Sequence, residues 1–196
     1  MKKRTASIKR KTKETDISLT FNLDGSGNSN ISTGIPFFDH MLDLFTVHGI
    51  FDLDLSVNGD LEVDFHHTVE DIGICLGQAF QQALGSGEQI QRFSSGNLPM
   101  DETLCQISID VSNRPYLDFN AAFEKTKVGE FDVELTEEFL RAFVNHAKIT
   151  LHMTVLKGQN LHHMIEACFK ALGVFLSKAV QIDPRKKGIP SSKGIL

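Results

Sequence analysis

The segment His66-His67-Thr68-Val69-Glu70 returns 96 residues later as His162-His163-Met164-Ile165-Glu166. Each copy has the form HHxxE. If each copy opens a helix, its first histidine and its glutamate lie one turn apart on one face, and its second histidine is rotated by about 100°. Each copy can therefore chelate one metal ion and offer a histidine to another. The repeat predicts a dinuclear metal site.

The composition is that of a globular protein. The chain has 196 residues, of which 41% are apolar and 23% charged, and these values exclude disordered and fibrous classes. The formal net charge of -5 argues against a nucleic-acid partner, because affinity for phosphate backbones comes from accumulated lysine and arginine. The absence of tryptophan and the single tyrosine also argue against base stacking.

The cysteines and the N-terminal residues indicate a cellular compartment. The chain has three cysteines, an odd number, and none belongs to a CxxC pair: Cys75, Cys105 and Cys168. We therefore expect buried free thiols in a reducing environment. Residues 1–13 are basic, but no apolar run of seven follows, which predicts neither a secretory signal nor a membrane anchor. We expect a cytoplasmic protein with no membrane partner.

Hydrophobic periodicity predicts two halves of the same order. In the first half, alternation predicts strands over 5–11, 16–23 and 51–57, and helical spacing predicts helices over 37–48 and 68–84. In the second half we expect strands over 103–111, 116–123 and 149–156 and helices over 136–146 and 161–180. The fold class is therefore α+β, an internal duplication of a ββαβα unit in which helices cover one face of each sheet. The predicted divisions are 1–94, 95–182 and a flexible basic tail, 183–196.

Four separated motifs resemble one enzyme family. They are Gly34-Ile35-Pro36-Phe37-Phe38-Asp39-His40-Met41-Leu42, Phe65 to Asp71, Leu161 to Ala167, and Ile189-Pro190-Ser191-Ser192-Lys193-Gly194. In order and with no large insertion, they resemble imidazoleglycerol-phosphate dehydratase over essentially the whole chain. Some bacterial relatives carry a fused histidinol-phosphate phosphatase, for which this length leaves no room. The resemblance is to the monofunctional form.

The resemblance implies a lyase of histidine biosynthesis that converts imidazole glycerol phosphate to imidazole acetol phosphate. It implies two Mn(II) ions per active site and a homo-oligomer of 24 subunits with octahedral symmetry, whose active sites form between subunits. The residues themselves support only the metals, the duplication and an anionic substrate. Histidine and carboxylate ligands suit Mn(II), Fe(II) or Zn(II), so the ligand types leave the physiological metal open.

The pseudo-repeat distributes eight ligands between two ions. One ion is assigned to His66, Glu70, His163 and Glu138, and the other to His162, Glu166, His67 and His40. His40 aligns with Glu138 through the repeat, although many relatives have histidine at the second position. A carboxylate suits Mn(II) there. The alternative for Glu138 is a solvated first-turn glutamate favoured by the helix dipole.

The substrate and catalytic residues follow from the resemblance. Arg92, Arg114, Ser192 and Lys193 are assigned to the phosphate, and Lys170 lies one turn beyond Glu166 on the same helical face. His40 and His48 are further candidates for substrate contact, with a helix-capping role as the alternative for His48. The tail is expected to order over bound substrate as a lid.

Glu14 is the candidate general base, which removes the proton from the carbon adjacent to the one that carries the leaving hydroxyl. The carboxylates Glu70 and Glu166 are the alternatives. We expect the two ions to bind both ring nitrogens and make the ring imidazolate-like. Two other functions stay open on these residues alone. One is a dinuclear metallohydrolase acting on a phosphate ester, and the other is a non-catalytic metal-binding or storage protein.

Overall fold

Each half of the chain folds as three strands, a helix, a strand and a helix in the computed structural model, which describes residues 3–194. The buried side chains of the strands alternate with exposed ones, as expected for sheets with one buried face. The elements of the first half are β1 Thr5–Lys11, β2 Thr15–Asn22, β3 Ser29–Ser32, α1 Pro36–Gly49, β4 Asp52–Gly59 and α2 His66–Leu84.

The second half repeats this order and adds a short hairpin before its first helix. The hairpin, β8–β9, lies between the third strand and that helix. The elements are β5 Phe93–Met100, β6 Thr103–Asp110, β7 Tyr116–Asn120, β8 Lys127–Val128, β9 Phe131–Asp132, α3 Leu135–Ala147, β10 Thr150–Lys157 and α4 Leu161–Val180.

The two four-stranded sheets have the same topology. Their orders are β1-β2-β4-β3 and β5-β6-β10-β7, and in each the last pair is parallel while the others are antiparallel. The predicted α+β duplication is confirmed. The unit has one strand more than predicted, because β3 and β5 were not expected. The predicted division between residues 94 and 95 falls inside β5.

The helices exchange partners between the halves. Helix α2 packs on β1 and β2, and α4 packs on β5 and β6, so helices cover one face of each sheet as predicted. Helix α1 of the first half packs against α4, whereas α3 of the second half packs against α2. The buried apolar residues of both halves form one core. Within residues 3–194, no helix is long and apolar enough to cross a membrane.

Two equivalent glycines allow these helices to touch. A Cβ atom on Gly77 of α2 would lie 2.6 Å from the Phe143 carbonyl oxygen in α3, and one on Gly173 of α4 would lie 2.4 Å from the Phe45 carbonyl oxygen in α1. Both distances are below van der Waals contact with backbone atoms that cannot rotate away. The close packing therefore depends on glycine at both positions.

The C-terminal tail runs over the segment that joins the halves. Ile182 forms a bridge with Ile90, and the backbone N–H of Gln89 donates to the Gly188 carbonyl oxygen at 2.8 Å. Lys186 Nζ donates to the Ile90 carbonyl oxygen at 3.0 Å. Residues 183–194 contain no helix or strand, but these bonds attach them to the fold. Residues 195–196 of the predicted tail lie outside the described part.

Candidate metal centre and phosphate site

Both HHxxE segments begin in the first turn of a helix. The N–H of His66 donates to Asp64 Oδ1 at 2.8 Å, and the N–H of His162 donates to Asn160 Oδ1 at 3.0 Å. Such side-chain acceptors satisfy backbone groups that have no partner inside the helix. The helix start is therefore encoded two residues before each histidine pair, and the i, i+4 pairing predicted from the sequence follows from it.

The side chains of His40, His162 and Glu166 form one cluster that could bind a metal ion. The Nε2 atoms of His40 and His162 lie 3.8 Å and 3.2 Å from Glu166 Oε2. One donor atom from each residue lies within 4.8 Å of the others, the only such group of three found in residues 3–194. Two imidazole nitrogens and a carboxylate oxygen suit Mn(II), Fe(II) or Zn(II). The donor set fits a divalent metal ion.

Lys170 governs the charge of this cluster. Its Nζ atom lies 2.5 Å from Glu166 Oε1. Burial alone would raise the pKa of Glu166, but the charges of Lys170, His162 and His40 outweigh it and lower this pKa. The pKa of His48 is lowered by burial and by the charge of Lys170. Lys170 and His48 therefore both lie close enough to influence the predicted site.

The corresponding cluster of the first half is less complete. His66 Nε2 lies 3.9 Å from Glu70 Oε2, so this i, i+4 pair is formed. Both α1 and α3 are followed by a left-handed residue, Ile50 and Lys148, which places His40 and Glu138 at equivalent positions. Within the described residues, Glu138 does not join His66 and Glu70 in a ligand group. Its assignment as a ligand stays a prediction.

The second histidine of the first segment lies between two carboxylates. His67 Nδ1 is 3.0 Å from Asp60 Oδ2, and its Nε2 atom is 3.9 Å from Glu14 Oε1. The hydrogen bond with Asp60 raises the pKa of His67, and the charge of Glu14 adds to this effect. Glu14, the predicted general base, is about half exposed. The structure therefore brings this candidate base to a predicted ligand.

The second histidine of the second segment also has two carboxylates near it, because Asp101 Oδ2 lies 4.0 Å from its Nε2 atom. His163 Nδ1 is 2.8 Å from Glu102 Oε2, and this hydrogen bond raises the pKa of His163. The same bond, with backbone N–H groups of Asn160 and Gln159, lowers the pKa of Glu102 to about 2. Within the described residues of a single chain, neither His67 nor His163 belongs to the cluster formed by His40, His162 and Glu166.

The residues predicted to bind phosphate line one cavity of about 410 Å³. Arg92 is held by Asp110, to which its Nε donates at 2.8 Å, and by the Pro190 carbonyl oxygen, to which its Nη1 donates at 2.9 Å. Arg114 is about two-thirds exposed at the same cavity. The lining residues are Arg92, Ser112, Asn113, Arg114, Ser191, Ser192 and Lys193.

This cavity and the histidine cluster lie at opposite ends of α4. The N–H of Arg92 donates to the carbonyl oxygen of Ala179 in the last turn of the helix, whereas Glu166 is in its second turn. At 1.5 Å per residue, Glu166 and Ala179 are separated by roughly 20 Å along the helix axis. A small substrate cannot bridge this distance within one chain.

The sequence patterns did not identify Asp60 or Glu102 as functional residues. A signal exists for Glu102, because it precedes β6 as Glu14 precedes β2, and each strand begins with a buried threonine. Asp60 has no counterpart of its type, since Gly59 and Gly158 are equivalent and the residue after Gly158 is Gln159. To predict the contact of Asp60 with His67, one must know the conformation of the loop between β4 and α2.

Residues 33–176 match the family model for imidazoleglycerol-phosphate dehydratase. The chain belongs to the imidazoleglycerol-phosphate dehydratase family. It is 56% identical over 193 residues to a dehydratase of this name from Bacillus subtilis, covering 98% of this chain and 100% of that one. It is 55% identical over 193 residues to one from Pelobacter propionicus, covering 98% and 99%.

Solved structures of imidazoleglycerol-phosphate dehydratases have the same fold. The Staphylococcus aureus protein is 40% identical with a TM-score of 0.84, and the match covers 91% of this chain and 99% of that one. The Pyrococcus furiosus protein is 35% identical with a TM-score of 0.83, covering 96% and 100%. The predicted family is confirmed, and the chain is a dehydratase of histidine biosynthesis, a lyase.

Proposed function

We propose that this imidazoleglycerol-phosphate dehydratase converts imidazole glycerol phosphate to imidazole acetol phosphate with two Mn(II) ions per active site. The cluster of His40, His162 and Glu166 carries the proposal, because it presents two nitrogens and one carboxylate oxygen within 4.8 Å. His66 and Glu70 supply the second pair of ligands. When bound, the metals supply Lewis acidity toward the ring nitrogens of the substrate. His67, His163 and Glu138 complete the proposed ligand set.

The residues of this chain supply the proton transfer and the charge balance. Glu14 accepts the proton from the carbon beside the one that loses hydroxide. Its carboxylate is about half exposed and lies 3.9 Å from His67 Nε2, so it is accessible and next to a proposed ligand. Lys170 keeps Glu166 ionised, as a metal-binding carboxylate must be.

The phosphate group belongs in the cavity lined by Arg92, Arg114, Ser192 and Lys193. Arginine and lysine donors there oppose the charge of a phosphate ester. The three-carbon chain of the substrate is much shorter than the separation of roughly 20 Å along α4. This separation supports active sites shared between subunits, and we propose the 24-subunit assembly implied by the family.

The proposed setting is the cytoplasm, with neither nucleic acid nor membrane as a partner. Cys75, Cys105 and Cys168 are buried free thiols, which supports a reducing compartment. The net charge of -5 disfavours nucleic acid.

The test is a product assay on the Mn(II)-loaded protein with imidazole glycerol phosphate. A ketone that retains its phosphate, with the rate lost on chelation and restored by Mn(II), supports the proposal. Release of inorganic phosphate would instead identify a metallohydrolase. Bound Mn(II) with neither product would leave a metal-binding protein and reject the proposed reaction.

A further inference from the structure

Each second histidine of the HHxxE segments has a carboxylate on its Nδ1 atom. Asp60 Oδ2 lies 3.0 Å from His67 Nδ1, and Glu102 Oε2 lies 2.8 Å from His163 Nδ1. A carboxylate at this position accepts the Nδ1 hydrogen, fixes the ring orientation and tautomer, and leaves the Nε2 lone pair for a metal. The same arrangement occurs in both halves of the chain.

The two carboxylates come from positions that are not equivalent. The counterpart of Glu102 in the first half is Glu14, because each immediately precedes a strand whose first residue is a buried threonine, Thr103 or Thr15. Asp60 instead lies in the loop between β4 and α2. The duplicated halves therefore solve the same problem with different residues.

Glu102 has both carboxylate oxygens engaged. Its Oε2 atom contacts His163, and its Oε1 atom accepts the backbone N–H groups of Asn160 at 2.9 Å and Gln159 at 3.3 Å. Within residues 3–194, the only close approach of the Glu14 side chain is the 3.9 Å approach to His67, and this side chain is 53% exposed. The N–H of Asp60 donates to the Glu14 carbonyl oxygen at 3.0 Å, which places the two residues side by side at His67.

We propose that Asp60 and Glu102 are positioning residues: their hydrogen bonds to Nδ1 orient His67 and His163 so that Nε2 can bind the metal. Because Asp60 takes this role in the first half, Glu14 is left unengaged and serves as the general base there. The role of Glu14 rests on the proposed function, whereas the positioning role concerns metal binding alone.

The positioning role is tested by Mn(II) affinity, measured by chelator competition on the full-length protein. Asp60→Ala and Glu102→Ala should each weaken binding by about 10- to 100-fold. Asp60→Asn and Glu102→Gln keep an acceptor oxygen and should recover part of this loss. Glu62→Gln, an exposed carboxylate in the same loop as Asp60, is the control and should keep full affinity.

The metal-free variants should be as fully folded as the control in the absence of denaturant, as judged by circular dichroism, which separates positioning from loss of structure. Affinities for both alanine variants within twofold of the Glu62→Gln control would overturn the positioning role. So would an equal loss of affinity for the alanine and the amide variants.

The division of roles predicts opposite results at two equivalent positions. Glu14→Gln should keep Mn(II) affinity and lose about 100- to 10,000-fold in turnover at saturating Mn(II), as expected for a general base. Glu102→Gln should lose affinity and recover turnover when Mn(II) is saturating. The reverse pattern would overturn the division. If the unmodified protein lacked dehydratase activity, the proposed function would fail, but the affinity measurements would still decide the positioning role.

Discussion

At the scale of single residues, the two candidate metal sites differ most at one pair of positions. His40 and Glu138 are equivalent in the duplication, yet His40 joins its HHxxE segment and Glu138 remains apart in one chain. Both are assigned as ligands. The neighbouring Glu137 pairs with Arg141 on the surface of α3 and provides a matched control.

Glu138→Gln should reduce bound manganese from two ions to one per chain, because the amide is a weaker ligand than the carboxylate for a hard ion. Glu137→Gln should retain both manganese ions, because Glu137 is not a proposed ligand. Its exposed ion pair with Arg141 contributes less than about 1 kcal/mol to stability, so the variant should also stay folded. Elemental analysis of both purified variants is the measurement. Two ions in the Glu138 variant would remove it from the ligand set.

The pair of His163 and Glu102 should give the metal-free protein a defined pH dependence. The pKa of His163 is raised above 6.5, so its stabilisation is complete below that value and is lost as pH rises through the raised pKa. The pKa of Glu102 falls from 4.5 to about 2, so its stabilisation is complete above 4.5 and is lost as pH falls. The pair stabilises most between pH 4.5 and 6.5.

Glu102→Gln should therefore lower the unfolding free energy of the metal-free protein most within this window, and less as pH rises above it. Urea denaturation at several pH values and one protein concentration measures this. Glu62→Gln serves again as the reference. A difference from this reference that does not vary with pH would contradict the expectation.

At the scale of elements, strong periodicity predicted most helices and strands, and weak periodicity failed. The predicted helix 161–180 matches α4, and the predicted strand 5–11 matches β1. β3 has four residues with Ile31 as its only apolar side chain, and β5 contains Gly96 and Pro99. Both are edge strands, which tolerate residues that disfavour a central strand.

The cluster of His40, His162 and Glu166 could be predicted only in part for a related reason. The pairing of His162 with Glu166 is local, since one helical turn joins them. The approach of His40 depends on α1 packing against α4 of the other half, which no local pattern encodes. The sequence assigned His40 to the same ion as His162 and Glu166, and the packing of α1 on α4 brings these three side chains together.

Gly77→Ala should destabilise the protein by about 1–3 kcal/mol, because the added methyl group would overlap backbone atoms of α3. Helix propensity alone would predict stabilisation by roughly 1 kcal/mol. Gly173→Ala should behave in the same way at the equivalent contact with α1. Gln82→Ala, at an exposed position on α2, should change stability little. Denaturant unfolding decides, and a stabilised Gly77 variant would refute the close contact.

Ending the chain at Gly188 should raise KM for the substrate by at least about tenfold, because Ser192 and Lys193 are lost from the phosphate cavity. The bond from Arg92 to the Pro190 carbonyl oxygen is lost as well. Mn(II) affinity should stay unchanged, since none of the removed residues is a proposed metal ligand. Steady-state kinetics at saturating Mn(II) provide the measurement, and unchanged KM would exclude the tail from substrate binding.

At the scale of the whole molecule, the proposed sharing of active sites between subunits would link metal binding to assembly. If ligands on different subunits share an ion, removing the metal weakens the contact between those subunits. Chelation should therefore convert the large assembly to smaller oligomers, and Mn(II) should restore it. Light scattering before and after chelation tests this. An assembly of unchanged size would mean that each metal site is built within one subunit.

The exchange of helices between the halves has a consequence for the origin of the fold. In this chain, α1 finds its helix partner in α4 and α3 finds its partner in α2. A polypeptide of one half only would leave the apolar face of its first helix exposed, unless a second copy supplied the partner. Gene duplication and fusion would then have turned an intermolecular contact into an intramolecular one. Two linked copies could afterwards diverge independently: His40 and Glu138 differ in residue type, whereas Glu14 and Glu102 are the same residue with different contacts.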